Sequence, residues 1–241
     1  MTTEKLGLWV SHLALTRGMR LALAGWHFGV DAVSVLHDHI WDGTSLILRK
    51  GIRRYAHDGQ RVLDLGTGHL GLLAIYCAVT HQVKLVAVDV SEEFVENARL
   101  VASASHASFI DFRQSDWFSN VDGTFDLIVA NVPYIPTEIG NVFQKPHEYP
   151  EIWDGGRDGL DHERQVIANV ARFLNREGIL LLGIDTFYVP RSTTLSLVRN
   201  SGNLELREII ESWISRSEVY VIGLKSESVG LSTAGRPSPE V

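Results

Sequence analysis

The sequence contains a single cysteine, Cys77, among 241 residues. An internal disulfide is therefore impossible, and no disulfide framework indicates secretion. Cys77 lies in an apolar helical stretch, so we predict that it packs in the core and is not a nucleophile. No apolar run approaches the ~20 residues that a membrane-spanning helix needs, and Met1 to Lys5 do not begin a signal peptide. We expect a cytoplasmic protein without a membrane partner.

Positive charge is also scarce. The chain has 22 lysines and arginines against 29 aspartates and glutamates, a formal net charge of −7. Binding to nucleic acid depends largely on cationic side chains that neutralise phosphates. The acidic balance therefore argues against a nucleic-acid partner, and the cluster at 49–54 is interpreted as the solvated face of a helix.

Residues 1–60 form an N-terminal segment that differs from the rest of the chain. Apolar spacing predicts helices over 6–24 and 44–56, the second capped by Thr44. The aromatic stretch 26–41 between them contains histidines whose spacing matches no common zinc motif, so no metal is predicted. We expect this segment to cap the site or to recognise the substrate.

From Arg61 onward, strands alternate with helices. The predicted strands are 62–65, 84–90, 109–113, 125–130, 179–184, 204–210 and 218–224. The clearest helices between them begin at Ser91 or cover 160–174 and 191–201. This alternation predicts an α/β domain over 61–225 with a mostly parallel, seven-stranded sheet flanked by helices. The segment 226–241, rich in Ser, Gly and Pro, is predicted to be a disordered tail.

A glycine-rich turn follows the first strand. Its residues Gly66, Gly68 and Gly71 match the dinucleotide fingerprint, and Asp89 ends the next strand. The same glycines are also compatible with nothing more than a tight strand-to-helix turn. The pattern alone would favour NAD.

Asp64 argues against NAD because a carboxylate at the end of this strand would repel a pyrophosphate. S-adenosylmethionine has no phosphate and carries an ammonium and a sulfonium, beside which Asp64 is favourable. Hydrogen bonds to charged groups contribute roughly 1.5–3 kcal/mol. Asp89 is predicted to accept the ribose hydroxyls, as acids at this position do in dinucleotide folds.

The segment Ser115 to Phe118 follows the third strand. Asp116 is a candidate acceptor for the adenine amino group, with Trp117 or Phe118 against the ring. The sequence fits equally well an acidic turn whose aromatic side chains pack in the core.

The strand 125–130 stops at Asn131-Val132-Pro133-Tyr134. Ligands of α/β sheets lie just past the carboxyl ends of such strands. Asn131 offers an amide oxygen, Pro133 stiffens the backbone, and Tyr134 adds a flat ring. We predict a planar slot with acceptor oxygens that holds an N–H-bearing nitrogen, although a turn-forming asparagine would give the same pattern.

Together these pieces resemble the protein N5-glutamine methyltransferase family, class I methyltransferases that modify translation release factors. The resemblance extends over about residues 61–224, and its matching segments are 62–68, 87–89, 115–118, 131–135, 154–161 and 178–182. It implies a Rossmann-like fold and S-adenosylmethionine as cofactor. It implies a cofactor site of Asp64, Gly66, Thr67, Gly68, Asp89, Asp116, Trp117 and Asn131, and a catalytic set of Asn131, Val132, Pro133 and Tyr134.

Three departures from the family pattern stand out. Val132 replaces the first proline of Asn-Pro-Pro-Tyr, which keeps the backbone carbonyl but reduces rigidity. Leu70 stands where the family has its third glycine, so the loop has either one inserted residue or a different shape. The family's helical N-terminal domain is larger than the 60 residues that precede Arg61.

These features favour a methyltransferase that acts on a planar nitrogen. The family resemblance implies that this nitrogen belongs to a glutamine side chain of a release-factor-like protein. Three other functions stay open: a small-molecule methyltransferase of specialised metabolism, an adenine N6-methyltransferase on RNA or DNA, and a non-catalytic protein of this fold. An NAD-dependent oxidoreductase is the most distant alternative.

Overall fold

The computed structural model describes residues 25–30, 42–143, 149–213 and 215–226. Its seven strands are β1 Arg61–Leu65, β2 Lys84–Asp89, β3 Asp111–Gln114, β4 Phe125–Ala130, β5 Leu174–Asp185, β6 Leu204–Glu211 and β7 Ser217–Leu224. Its helices are α1 Gly43–Tyr55, α2 Leu72–Thr80, α3 Glu92–Ala104, α4 Thr137–Phe143, α5 Asp161–Asn169 and α6 Arg191–Asn200. Short 3₁₀ turns cover Pro150–Ile152 and Val170–Arg172.

All seven strands join one sheet in the order β3-β2-β1-β4-β5-β7-β6. The first five strands in that order run parallel, whereas β7 pairs antiparallel with both β5 and β6. The prediction of a mostly parallel, seven-stranded sheet flanked by helices is confirmed. The antiparallel insertion of β7 between β5 and β6 had no signal in the sequence.

The fifth strand is longer than predicted, because it begins at Leu174 and not at 179. The predicted helix over 160–174 is correspondingly shorter and ends in a 3₁₀ turn. The pairing of β4 with β5 shifts register after Phe125. A Cβ on Gly178 would lie 2.6 Å from the Phe125 carbonyl oxygen, so only glycine permits this close approach.

The sheet is buried on both faces, as expected for parallel strands covered by helices. Along β4, Leu127 and Val129 enter one core cluster and Ile128 and Ala130 enter the other. Cys77 is 1% exposed in the first cluster, and burial raises the pKa of its thiol to about 12. The prediction of a core cysteine is confirmed, since a thiol with this pKa is a poor nucleophile at neutral pH.

Helix α1 packs on the sheet through Leu48 and Ile52, which are fully buried. Its cap is Asp42, whose carboxylate accepts a hydrogen bond from the Ser45 backbone N–H at 2.8 Å. The prediction that Thr44 caps this helix is therefore wrong. The Thr44 side chain is buried and bonds the hydroxyls of Tyr134 and Ser217 at 3.0 and 3.2 Å.

The domain boundary between residues 60 and 61 stays a prediction. The helix predicted over 6–24 lies outside the described residues, as does the predicted tail from residue 227. Among the helices that the structure describes, none combines the length and hydropathy needed to cross a membrane.

Candidate active site

The site lies at the carboxyl edge of the sheet, where β1 stands between β2 and β4. Leu65 pairs with Val88 on one side and with Ala130 on the other. The segments that follow these three strands therefore meet at one edge. The strand order reverses here, which is where open α/β sheets form their ligand crevice.

The glycine turn after β1 presents an open stretch of backbone. Gly66 and Gly68 have φ values of 78° and 64°, and a Cβ on either would meet no atom within 4 Å. The N–H groups of Gly66 and Thr67 both donate to the Val88 carbonyl at 2.9 Å, which ties the turn to β2. A ligand can therefore approach this backbone closely.

The third glycine has a different role. Gly71 begins helix α2 with φ 58°, and its Cβ would lie 3.3 Å from Ala98 and from the Phe112 ring. Leu70 beside it is 2% exposed. The glycine at position 71 therefore permits close packing of α2 against α3 and β3, and Leu70 enters the core.

Asp64 lies beneath the glycine turn and is 2% exposed. The Thr67 hydroxyl donates a hydrogen bond to its carboxylate at 2.7 Å. Burial raises the pKa of Asp64 to about 6, although this hydrogen bond and one from the Ala74 backbone oppose the shift. Asp64 thus holds the turn together, and its contact with a ligand ammonium stays a prediction.

Asp89 joins the glycine turn to the start of helix α3. One carboxylate oxygen accepts from the Gly68 N–H at 2.9 Å, and the other accepts from the Ser91 N–H at 3.1 Å. Burial raises the pKa of Asp89. Ser91 caps the helix, since its hydroxyl accepts from the Phe94 N–H. The Val90 backbone also contributes a hydrogen bond to Asp89, and a carboxylate accepts about four, so a further bond from a ribose hydroxyl is chemically open.

The two aromatic residues after β3 separate into different environments. Phe118 is buried and stacks on Phe173 with ring centroids 4.5 Å apart and an interplanar angle of 13°. Trp117 is half-buried with φ 50°, and its ring lies 5.2 Å from that of His162. Asp116 is exposed. Phe118 is therefore a core residue, and Trp117 is the aromatic candidate for an adenine contact.

Asn131 follows β4 with its amide held in a defined orientation. The amide nitrogen donates to the Ser45 hydroxyl at 3.2 Å and to Asp42 Oδ1 at 3.4 Å. A carboxylate can only accept, so the NH₂ group must face Asp42. The Asn131 Oδ1 atom is buried, and no described residue donates a hydrogen bond to it.

The backbone after Asn131 turns into a buried corner. Val132 is 2% exposed, and no described residue donates a backbone hydrogen bond to its carbonyl. The Tyr134 hydroxyl donates to Asp42 Oδ2 at 2.7 Å, and the ring lies 6.1 Å from that of Tyr188. Burial raises the pKa of Tyr134 well above its ordinary value, and the Asp42 carboxylate adds to the effect. Tyr134 is a neutral donor at neutral pH.

The glycine-rich segment before α5 packs directly on this corner. The Ile135 N–H donates to the Trp153 carbonyl, and the Gly155 N–H donates back to the Ile135 carbonyl at 2.8 Å. A Cβ on Gly155 would lie 2.8 Å from the Tyr134 Cα. Glycine is required here because two stretches of backbone touch.

Asp42, Thr44 and Ser45 are the site residues that sequence reasoning missed. The polar run after residue 41 predicted a helix cap, and nothing local indicated that its side chains reach residues 131 and 134. The predicted residues from 64 to 68, 89 and 131 to 134 do share one edge of the sheet, while their roles stay predictions.

The fold is that of the Rossmann-like class I methyltransferases. A methyltransferase from Pyrococcus furiosus shares it with a TM-score of 0.62 and 18% identity, over 93% of this chain and 98% of that one. The methyltransferase small domain family matches residues 32–142. The backbone at Gly66 and Gly68 is open, and the carboxylates of Asp64 in β1 and Asp89 at the end of β2 lie beside it. This arrangement fits S-adenosylmethionine, the cofactor of this class.

A putative protein N5-glutamine methyltransferase from Methanocaldococcus jannaschii is 34% identical over 148 residues, which cover 60% of this chain and 72% of that protein. The ribosomal protein uL3 glutamine methyltransferase of Neisseria gonorrhoeae is 39% identical over 147 residues, which cover 57% of this chain and 48% of that protein. The chain belongs to the protein N5-glutamine methyltransferase family of class I methyltransferases. It spans about half the length of the first curated relatives that it matches.

Proposed function

We propose that the protein uses S-adenosylmethionine to methylate a planar nitrogen, the side-chain amide of a glutamine in a protein. The observation that carries the proposal is the buried Asn131 Oδ1, to which the described part of the chain supplies no hydrogen-bond donor, on an amide group whose orientation Asp42 and Ser45 fix. A buried acceptor without a partner costs free energy, on the order of 1–3 kcal/mol. A substrate N–H would remove that cost.

Asn131 and Val132 would hold the substrate amide. Its two hydrogens would bond the Asn131 side-chain oxygen and the Val132 carbonyl, which turns the nitrogen lone pair toward the crevice above β1. Because Asn131 Oδ1 is also shielded from solvent, the substrate must displace the atoms that now cover it. Tyr134 would supply an aromatic wall beside the planar group.

The cofactor would lie on the open glycine turn. Gly66 and Gly68 would allow its methionyl part to approach the backbone, and Asp64 would face its ammonium directly or through water. Asp89 would accept the ribose hydroxyls, with Asp116 and Trp117 at the adenine. When bound, S-adenosylmethionine supplies a methyl group on a positively charged sulfur.

The Asn131 side-chain oxygen and the Val132 carbonyl would activate the substrate amide for methyl transfer. An amide nitrogen is a weak nucleophile because its lone pair is delocalised. Two fixed acceptors on its hydrogens orient the lone pair and stabilise the positive charge that develops during attack. Alignment of the reacting atoms can contribute roughly 7–11 kcal/mol. No strong base is needed before attack, since the proton can leave afterwards.

Family membership supports a protein substrate over a small molecule. The relatives from Neisseria and Methanocaldococcus are named as protein glutamine methyltransferases, and the resemblance in the motifs points to release factors. A ribosomal protein and a release factor are therefore the two substrates to test first.

The test uses the full chain with S-adenosylmethionine carrying a tritiated methyl group. The acceptors are the uL3 protein and the release factors of the same organism, each with a control in which the candidate glutamine is replaced by alanine. Label on a protein glutamine, located by peptide mass spectrometry, supports the proposal. Label only in small molecules or RNA of a cell extract would overturn it.

A further inference from the structure

The Asp42 carboxylate accepts four hydrogen bonds, two from Ser45 in α1 and one each from Asn131 and Tyr134 in the corner after β4. Its Oδ1 accepts from the Ser45 N–H and hydroxyl, both at 2.8 Å, and from the Asn131 amide nitrogen at 3.4 Å. Its Oδ2 accepts from the Tyr134 hydroxyl at 2.7 Å. One side chain therefore touches two residues of the proposed catalytic corner.

The hydrogen bonds around the Asn131 amide nitrogen are all donated toward Asp42. The Asn131 amide nitrogen donates to the Ser45 hydroxyl, and the Ser45 hydroxyl donates in turn to Asp42. A direct but longer bond joins Asn131 to the same Asp42 oxygen. Because both routes end on a carboxylate, which has no proton to donate, the network admits only one orientation of the Asn131 amide.

We propose that Asp42 is a positioning residue for methyl transfer, acting through Asn131 and Tyr134. This inference rests on the proposed function, in which Asn131 Oδ1 accepts a substrate N–H. Asp42 does not itself touch the reacting atoms. It keeps Oδ1 turned toward the substrate and holds the Tyr134 ring beside it.

The charge of Asp42 adds a second effect. Donation from an amide nitrogen to an anion draws electron density toward the amide oxygen, since linked hydrogen bonds polarise one another. Asn131 Oδ1 thereby becomes a stronger acceptor for an N–H whose nitrogen gains positive charge. Replacing the carboxylate by a neutral group of the same shape should weaken this effect while leaving the helix capped.

Asp42→Asn is the first test, because asparagine is as good a helix cap as aspartate. We expect kcat to fall about 10- to 100-fold, as small misplacements near a reacting centre do. The substrate KM and the Kd for S-adenosylmethionine should change less than about threefold. Ser45→Ala, which removes one of the two routes to Asn131, should lower kcat less. Ile52→Val, in the buried face of the same helix, controls for destabilisation of α1.

A second readout needs no activity. The Asn131 side-chain amide resonance is identified in ¹⁵N-labelled protein by its loss in Asn131→Ala. We expect it to shift in Asp42→Asn and Ser45→Ala and to stay in place in Ile52→Val. An unmoved resonance, or a lower Tm with unchanged kcat in Asp42→Asn, overturns the inference. If the native protein labels no glutamine, the proposed function fails, and the resonance still decides whether Asp42 orients Asn131.

Discussion

A Cβ atom on Gly159 would lie 2.5 Å from the Tyr134 carbonyl oxygen, so these two residues touch through their backbones. Gly159 also has φ 78°, a conformation that side chains rarely adopt. The glycine-rich segment before α5 thus supports the corner that contains Asn131. No side chain larger than hydrogen fits between them.

Gly159→Ala should therefore destabilise the protein and reduce turnover. The left-handed backbone costs roughly 1–2 kcal/mol and the clash with Tyr134 about as much again. We expect the free energy of unfolding in urea to fall by about 3 kcal/mol. Gly202→Ala is the matched control, because its φ is 81° and its Cβ would meet nothing within 4 Å. Equal losses in the two variants would show that the contact with Tyr134 is unimportant.

Asn131→Ala should lower the rate of methyl transfer strongly while leaving cofactor binding almost unchanged. Removing one well-placed hydrogen-bond partner of a transition state typically lowers kcat about 100- to 1,000-fold. Single-turnover kinetics with labelled cofactor measure the first effect, and calorimetry measures the second. Asn200→Ala, an exposed residue at the end of α6, is the control. A kcat in Asn131→Ala close to that of the native protein would remove the role assigned to this side chain.

Because the Asp64 carboxyl is buried, the free energy of unfolding should depend on pH in a specific way. Burial raises its pKa to about 6 from the 3.8 of a free side chain, so the folded state binds this proton more tightly than the unfolded state. The resulting stability is fully present below pH 3.8 and is lost as pH rises through about 6. At neutral pH the ionised carboxylate costs the folded state on the order of 3 kcal/mol.

Asp64→Asn removes that titration and still offers an oxygen to the Thr67 hydroxyl. The free energy of unfolding of this variant, relative to that of the native protein, should therefore increase steadily as pH rises from 4 to 6. Urea unfolding at each pH measures it. Binding of S-adenosylmethionine should weaken in the same variant if Asp64 faces its ammonium. Parallel stability curves over this pH range would contradict the burial of an ionisable Asp64.

The two aromatic residues after β3 should respond differently to truncation. Phe118→Ala leaves a cavity against Phe173 and should lower the free energy of unfolding by about 3–5 kcal/mol. Trp117→Ala should lower it less and should instead weaken cofactor binding by up to about tenfold, the typical loss for one aromatic contact. Denaturant unfolding and calorimetry on both variants separate the effects. Weaker binding only in Phe118→Ala would reverse the assignment.

Much of the fold was determined by the sequence alone. Strand and helix positions follow from local periodicity and composition, and the short apolar runs at 62–65 and 125–130 begin and end almost where the structure places β1 and β4. Parallel strands with helical crossovers bring their carboxyl ends to one edge. The positions of Gly66, Asp89 and Asn131 relative to one another follow from that rule.

Only the tertiary structure decided which side chains complete the site. Asp42 reaches Asn131 across 89 positions of sequence because α1 packs on β5 and β7. Phe118 is buried in the core, whereas Trp117 stays half-buried at its edge. Neither outcome has a local periodic signal. A hydrogen bond between distant side chains depends on how helices and sheet pack, and the residues nearby in sequence do not specify that packing.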